Sequence, residues 1–245
     1  MELTISKNAA ELGTAAAAKV RELIINALDR QETARVLVST GASQFEYFKE
    51  LVKYTDIDWK RVEIFHLDEY IGLNKSHKAS FVKYLNERFV NIVKPLAFYE
   101  VEGTGDIDAN IKELTRLWRQ KPIDVGVIGI GENSHIAFND PPADFETTEI
   151  YKKVTLDEAC RRQQYSEGWF ESMEDVPGQA VSMSVYGILQ SKTIVSVVPH
   201  AVKANAVRLT LETEGITPDV PATALKNHAD WYLFLDENSA SMIKK

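Results

Sequence analysis

Two adjacent carboxylates, Asp68 and Glu69, follow a short apolar run at residues 62–67. Neighbouring carboxylates repel each other, so a pair placed in a crevice usually has a use there. One such use is the removal of a proton from carbon or oxygen. The alternative is a helix-capping aspartate beside a solvated glutamate, which by position alone is the commoner arrangement. The pair is therefore a candidate proton-transfer site that needs support from elsewhere in the chain.

A histidine lies in the glycine-rich stretch 129–142, GIGENSHIAFNDPP, directly after an apolar run. His135 has Asn133, Asn139 and Asp140 as neighbours that could orient its ring, and imidazole exchanges protons near neutral pH. A lone histidine is more often structural, but the carboxyl ends of strands are where α/β proteins bind ligands. The G-x-G-x-x-S pattern only superficially resembles a dinucleotide fingerprint, because prolines follow too soon for a long helix. We therefore predict a general acid or base here.

A turn of small residues formed by Thr40, Gly41, Ala42 and Ser43 separates a predicted strand from a predicted helix. Small residues allow the backbone to approach a ligand, and a helix start offers N–H groups and partial positive charge to a phosphate. Lys203, near the start of a later helix, could add a cation. The alternatives are a plain turn capped by Ser43 and a solvated lysine.

Charge and composition exclude several classes of protein. The chain has 245 residues and a formal net charge of −8, without a basic run, so nucleic-acid binding is not expected. The single cysteine, Cys160, and the absence of paired-histidine spacings predict no disulfide, metal or other cofactor. The chain also shows no apolar run long enough for a membrane span and no signal peptide, which predicts a cytoplasmic protein. The composition leaves open whether it forms a homo-oligomer.

Apolar runs that read as strands alternate with helical patterns, which predicts a doubly wound, Rossmann-like α/β fold with a mostly parallel sheet and helices on both faces. We expect a single domain over 1–245, with an irregular active-site flap at 140–178. Strands are predicted at 34–39, 62–67, 123–130, 193–198 and 231–235. Helices are predicted at 8–30, 44–53, 80–89, 107–118 and 156–164, and from 201 onward. In this fold the polar strand ends converge on one crevice.

Five segments together resemble the glucosamine-6-phosphate deaminase/isomerase family, in the same order and at similar spacing: STGAS, FHLDEYIGL, GIGENSHIAFNDPP, DVPGQAVSMS and VKANAV. The resemblance spans nearly the whole chain. It implies conversion of glucosamine 6-phosphate and water to fructose 6-phosphate and ammonia, by ring opening, proton transfer from C2 to C1 and loss of the amine. It implies no cofactor.

The resemblance also implies roles for individual residues. Asp68 matches the base that takes the C2 proton, His135 the histidine that assists ring opening, and Asp140 a carboxylate that orients this histidine. Asn133 stands where many deaminases have aspartate, so the histidine has one anion fewer beside it. The residues implied for the sugar are Glu69, Gly131 and Asn139, and those for the phosphate are Thr40, Gly41, Ala42, Ser43, Lys203 and a flap arginine, Arg161 or alternatively Arg162.

The flap sequence ACRRQQYSEGWF differs from the usual family flap, which leaves the arginine and the sugar open. One alternative is 6-phosphogluconolactonase, which shares the fold, although Tyr70 and the IAFN segment favour the deaminase. A second is a deaminase or isomerase of another hexosamine phosphate, such as galactosamine 6-phosphate. A third is a sugar-phosphate sensor, which would need a DNA-binding domain for which this sequence has no room.

Overall fold

Ten strands and eight α-helices occur within residues 1–166 and 168–244, the part of the chain that the computed structural model describes. The strands are β1 (Glu2–Ser6), β2 (Ala34–Val38), β3 (Val62–His66), β4 (Asp68–Tyr70), β5 (Ala97–Tyr99), β6 (Val125–Ile128), β7 (Tyr151–Thr155), β8 (Gln179–Met183), β9 (Thr193–Val198) and β10 (Trp231–Asp236). The helices are α1 (Ala9–Leu28), α2 (Phe45–Leu51), α3 (Phe81–Leu85), α4 (Asn91–Val93), α5 (Ile107–Trp118), α6 (Glu158–Ser166), α7 (Val185–Leu189) and α8 (Ala204–Glu212). Positions 167 and 245 lie outside the described residues.

Seven parallel strands form the central sheet in the order β1-β10-β9-β6-β2-β3-β5. Every residue of β2, β6 and β9 is buried, as expected for strands covered on both faces. Side chains alternate along β2, so Val36 and Val38 pack with α1 and α2, whereas Leu37 packs on the opposite face with α5, α7 and α8. The predicted doubly wound α/β fold is confirmed.

Local sequence sets the starts of the two longest helices. The side chain of Asn8 accepts a hydrogen bond from the Glu11 amide at 3.0 Å and begins α1. Asp106 accepts one from the Ala109 amide, also at 3.0 Å, and begins α5. Both are N-caps that satisfy an amide left without a partner inside the helix.

The direction of the chain across the central sheet reverses between β2 and β6. From β2 the chain continues to β3 and β5 on one side, and from β6 to β9 and β10 on the other. Loops that leave the carboxyl ends of two such strands diverge to opposite faces, which opens a crevice between them. The two loops here are the small-residue turn after β2 and the glycine-rich stretch after β6, so the fold gathers the motifs predicted to act together.

The segment 140–178 is more regular than the sequence suggested. It contains β7 and α6, and β7 joins an antiparallel three-stranded sheet in the order β4-β8-β7. An apolar cluster that includes Tyr70, Phe138, Cys160 and Phe170 lies beneath it. The sequence analysis found α6 but missed this sheet, because its strands are short and their pairing is not local. Its role as an active-site flap stays a prediction.

Candidate active site

A cleft of about 320 Å³ lies at the carboxyl ends of four strands of the central sheet. Residues that follow β2, β3, β6 and β9 line it, together with residues of α6 and the ring of Phe81. This is the crevice that the reversal of chain direction predicts. The sequence-predicted residues that line it are Thr40, Gly41, Ala42, Ser43, Asp68, Gly131, His135 and Lys203.

Asp68 lies where the chain passes from the central sheet to the small sheet. It begins β4, two residues after β3 ends, and pairs with Ser182 of β8. The carbonyl of Leu67 accepts a hydrogen bond from the Met183 amide at 2.7 Å, which fixes this crossing. Burial and the neighbouring charge of Glu69 raise the pKa of the Asp68 carboxyl to about 8. A base with a pKa near the working pH suits proton transfer to and from carbon.

Glu69 faces away from its neighbour, as alternate residues of a strand do. Its carboxylate accepts hydrogen bonds from the Ser80 hydroxyl at 2.7 Å and from the amides of Val82 and Tyr70 at 3.0 Å. Glu69 is absent from the described cleft lining. One carboxylate oxygen accepts from Ser80 and Val82 at the start of α3, and the other accepts from the Tyr70 amide, so a contact of Glu69 with the sugar stays a prediction.

His135 and Asp140 approach each other within the glycine-rich stretch. Nδ1 of His135 lies 3.1 Å from an Oδ1 atom of Asp140, and the two side chains are 12% and 9% exposed. Asn133 donates from Nδ2 to the same oxygen at 3.0 Å and accepts from the His135 amide at 3.2 Å. Burial acts to raise the pKa of Asp140, but the contacts with His135 and Asn133 outweigh it and hold this pKa below its usual value. An ionised Asp140 can thus orient the histidine, which is the role that the resemblance implies for it.

The backbone of this stretch brings Gly131 against the histidine ring. A Cβ atom at Gly131 would collide with the imidazole of His135, while the Gly131 amide donates to the His135 carbonyl at 2.9 Å. Ser134 and Ala137 adopt positive φ angles of 69° and 48°, a conformation that costs energy for residues with a side chain. Such strain often accompanies a site that must hold a side chain in one place.

The turn of small residues after β2 also lines the cleft, and its role in phosphate binding stays a prediction. Gly41 has a φ of 96°, and its carbonyl accepts a hydrogen bond from the Tyr84 hydroxyl at 3.0 Å. Lys203, 8% exposed, enters the cleft from the turn after β9. Gln44, which the sequence analysis did not single out, donates to the Val197 carbonyl and to the Ser43 hydroxyl, both at 3.1 Å. It ties the turn to β9.

Neither flap arginine is part of the cleft lining among the described residues. The guanidinium of Arg161 donates to the carbonyls of Val176 and Met173 at 3.2 and 2.9 Å, and Arg162 forms an exposed ion pair with Glu158. Phosphate binding by Arg161, with Arg162 as its alternative, therefore stays a prediction.

The face of α6 that meets the cleft carries glutamines, which the sequence analysis missed. Gln163 and Gln164 both line it, and Gln164 accepts a hydrogen bond from the Tyr70 hydroxyl at 2.7 Å. Spacings of three and four residues from the buried Cys160 place both on its side of the helix. The spacing of these glutamines from Cys160 is visible in the sequence. It identifies them as cleft residues only when the buried side of α6 is known.

Asn139 makes contacts with the backbone, and its predicted contact with the sugar stays a prediction. Its Nδ2 donates to the carbonyls of Ile136 and Met183, each at 2.8 Å, and the residue is buried outside the described cleft lining. It fastens the end of the glycine-rich stretch to β8. This is the structural alternative to the sugar contact predicted from the sequence.

A group of possible metal ligands also occurs beside the cleft. Single ligand atoms of His135, Asp140 and Cys160 all lie within 4.8 Å of one another. The sequence predicts no metal site because it has no closely spaced pair of histidine ligands, and Cys160 lies on a different element from His135 and Asp140.

Comparison with known proteins places the chain in a family. Residues 7–233 match the model of the family described as glucosamine-6-phosphate isomerases/6-phosphogluconolactonase, and the chain belongs to that family. The resemblance inferred from the sequence motifs is thereby confirmed.

Among its relatives is a glucosamine-6-phosphate deaminase of Streptococcus suis (strain 05ZYH33), 34% identical over 209 residues that cover 84% of this chain and 86% of the relative. A second, from Lactobacillus delbrueckii subsp. bulgaricus, is 31% identical over the whole of both chains.

Solved structures agree with this placement. A structure described as a monomeric glucosamine-6-phosphate deaminase superposes with a TM-score of 0.89 and 28% identity, covering 99% of this chain and 100% of that one. A 6-phosphogluconolactonase from Thermotoga maritima gives a TM-score of 0.78 at 14% identity, over 96% and 99% of the two chains. The second similarity shows a shared fold and nothing more. No helix in the described part of the chain has the length and apolarity to cross a membrane.

Proposed function

We propose that the protein is a deaminase that converts glucosamine 6-phosphate and water to fructose 6-phosphate and ammonia. The observation that carries the proposal is the joint presence, in one cleft, of the buried carboxyl of Asp68 and of His135 held by Asp140. The curated relatives named above are glucosamine-6-phosphate deaminases at 31–34% identity, which supports the same reaction.

The reaction begins with opening of the sugar ring. His135 passes a proton between the C1 hydroxyl and the ring oxygen, with Asp140 and Asn133 as positioning residues that hold the imidazole. Asp68 then takes the proton from C2 and returns one to C1, while the C1 oxygen gains the proton that the nitrogen gives up, which leaves a C1 hydroxyl and an imine at C2. Water adds to this imine, and the nitrogen departs as ammonia. Acid–base assistance of this kind is typically worth about 10²–10⁴-fold per group.

The phosphate gives the enzyme a handle away from the reacting carbons. The turn from Thr40 to Ser43 and the ammonium of Lys203 hold it, and this fixes C1 and C2 against Asp68. A few local groups suffice for this, so the net charge of −8 does not oppose binding. With the two arginines engaged elsewhere, the glutamines of α6 contact the sugar from the flap side.

The test is a substrate panel followed by ammonia release. Glucosamine 6-phosphate, galactosamine 6-phosphate and mannosamine 6-phosphate are assayed beside acid release from 6-phosphogluconolactone. We expect the highest kcat/KM with glucosamine 6-phosphate. Acid release from the lactone without ammonia from any amino sugar phosphate would reject the proposal in favour of a lactonase.

The companion variant is Asp68→Asn, which keeps the size of the side chain and removes the base. Exchange of the C2 proton with deuterated solvent is expected to fall by about 10²-fold or more. Binding of an unreactive hexitol 6-phosphate, measured by calorimetry, is expected to change little, since the phosphate end is intact. Persistent exchange in this variant would show that Asp68 is not the base.

A further inference from the structure

Three side chains beside the cleft combine nitrogen, oxygen and sulfur ligands. His135 and Asp140 come from the glycine-rich stretch after β6, and Cys160 comes from α6. One ligand atom from each, Nδ1, a carboxylate oxygen and Sγ, lies within 4.8 Å of the other two. Imidazole, carboxylate and thiolate are the ligands that zinc takes in proteins.

The three groups contact one another. Nδ1 of His135 lies 3.1 Å from Oδ1 of Asp140, and the Cys160 thiol forms a hydrogen bond with the Asp140 carboxylate. The Asp140 side chain is more than nine-tenths buried. A cation that takes these three groups as ligands replaces their mutual contacts, so its binding leaves no buried polar group without a partner.

The charges around this spot also suit a cation. The Cys160 thiol lies near the carboxylates of Asp140 and Asp157 and forms a hydrogen bond with Asp140. The same negative surroundings attract a divalent ion. Once the thiol has released its proton to solvent, a thiolate, a carboxylate and a neutral imidazole balance the two charges of the ion.

We propose that His135, Asp140 and Cys160 form a binding site for a divalent cation of the zinc class, and that its occupation inhibits the enzyme. The ion forms bonds to Nδ1, to a carboxylate oxygen and to Sγ. A water or a substrate group from the cleft fills the fourth position. The bound ion draws His135 and Asp140 away from proton transfer, because both now serve as ligands.

The geometry requires only small movements. Zinc–ligand distances of about 2.0–2.3 Å place the ligand atoms of a tetrahedral site roughly 3.3–3.8 Å apart. The separations here are at most 4.8 Å, so shifts of about 1 Å in side-chain position close the site. Access is through the cleft, since His135 lines it.

The experiment measures metal binding and activity separately. Equilibrium dialysis with zinc and absorption spectra with cobalt(II) are recorded for the wild type, Cys160→Ala, Cys160→Ser and Arg162→Ala. The last is the matched control, an exposed residue on the same helix whose side chain pairs with Glu158. Ammonia release is then followed against rising concentrations of zinc and of magnesium.

We expect one zinc per chain, a thiolate-to-cobalt charge-transfer band, and inhibition by zinc that a chelator reverses. Magnesium is not expected to inhibit, because it prefers all-oxygen sites. Both Cys160 variants should lose the band and need at least about tenfold more zinc for the same inhibition, whereas Arg162→Ala should behave as wild type.

Equal zinc affinity in the wild type and Cys160→Ala would overturn the proposal, as would a cobalt spectrum without the thiolate band. The binding measurements do not depend on the proposed reaction. If ammonia release fails in the substrate panel, dialysis and the cobalt spectrum still decide on the metal site.

Discussion

The close approach of Gly131 to the His135 ring gives a direct test of how the histidine is positioned. In Gly131→Ala the new methyl group would collide with the imidazole and push it from its place. A displacement of about 1 Å at a catalytic group can cost roughly 100-fold in rate. We therefore expect kcat for ammonia release to fall by about two orders of magnitude with little change in the unfolding midpoint.

Gly129→Ala is the matched control for this prediction. A methyl group there makes ordinary contacts, the nearest of them 3.5 Å from Nε2 of Gln44. We expect a much smaller loss of kcat than at Gly131. Equal losses at the two positions would show that any side chain in this loop is harmful, and that the contact with His135 is not the cause.

Single residues differ in how far the sequence could predict them. Asp68, His135 and Lys203 are placed by local sequence at or just after strand ends, so the pattern indicated their common crevice. Glu69 carries the same charge one residue from Asp68 and points the other way, where it accepts bonds from the start of α3. Which of two adjacent carboxylates meets the cleft depends on the pairing of β4 with β8, and that contact is not local in sequence.

At the scale of elements, a buried arginine joins β2, β3 and α5. Arg35, 2% exposed, pairs with Glu63 on the adjacent strand and donates to the carbonyls of Leu117, Trp118 and Lys121 at the end of α5. Removing one partner of a buried ion pair leaves the other without compensation and typically costs about 3–5 kcal/mol. We expect a loss of this size in the free energy of unfolding of Arg35→Met, measured in urea.

The control for this prediction is Arg116→Met on α5. Arg116 pairs with Glu113 on the exposed surface of the same helix, where solvent screens the pair, so its loss is expected to cost little stability. A loss at Arg35 no larger than that at Arg116 would contradict the structural role assigned to the buried pair.

The sequence predicted long elements better than short ones. The boundaries of α5 and β9 agree with the prediction, because a strong helical period and a continuous β-branched run mark them. The three-residue strand β5 and the edge strand β1 were missed. None of their residues is buried, so neither strand shows the fully buried pattern of the central strands. Helix α6 was predicted, but the side it turns to the cleft was not, and the assignment of Arg161 to the phosphate stays a prediction.

At the scale of the whole molecule, two buried titratable groups give the stability opposite dependences on pH. Burial lowers the pKa of His66 from 6.5 to about 3, and burial with Glu69 raises that of Asp68 from 3.8 to about 8. Below pH 6.5 the unfolded chain gains a proton on His66 that the folded chain does not take up. Between pH 3.8 and about 8 the folded chain keeps a proton on Asp68 that the unfolded chain releases. The first group therefore lowers stability in acid, and the second lowers it as the pH rises.

Between pH 6.5 and about 8, of these two groups only Asp68 changes the free energy of unfolding with pH, so this range separates its contribution from that of His66. We expect the free energy of unfolding of the wild type to fall across this range relative to Asp68→Asn, with a slope of at most about 1.4 kcal/mol per pH unit. Urea unfolding of both proteins at several pH values measures the difference. Parallel curves for the two proteins would show that Asp68 does not hold a proton when folded.

The sequence by itself determined the alternation of strands and helices, the residues at the strand ends, and the family to which the chain belongs. These follow from local patterns of hydrophobicity and from motifs that are contiguous along the chain. The tertiary structure decided which side chains of those motifs face the cleft, and it brought Cys160 to His135 and Asp140. The reason is that strand pairing and helix rotation depend on contacts between segments that are distant in the sequence. A shift of one residue along a strand or a helix moves a side chain from the cleft to another surface.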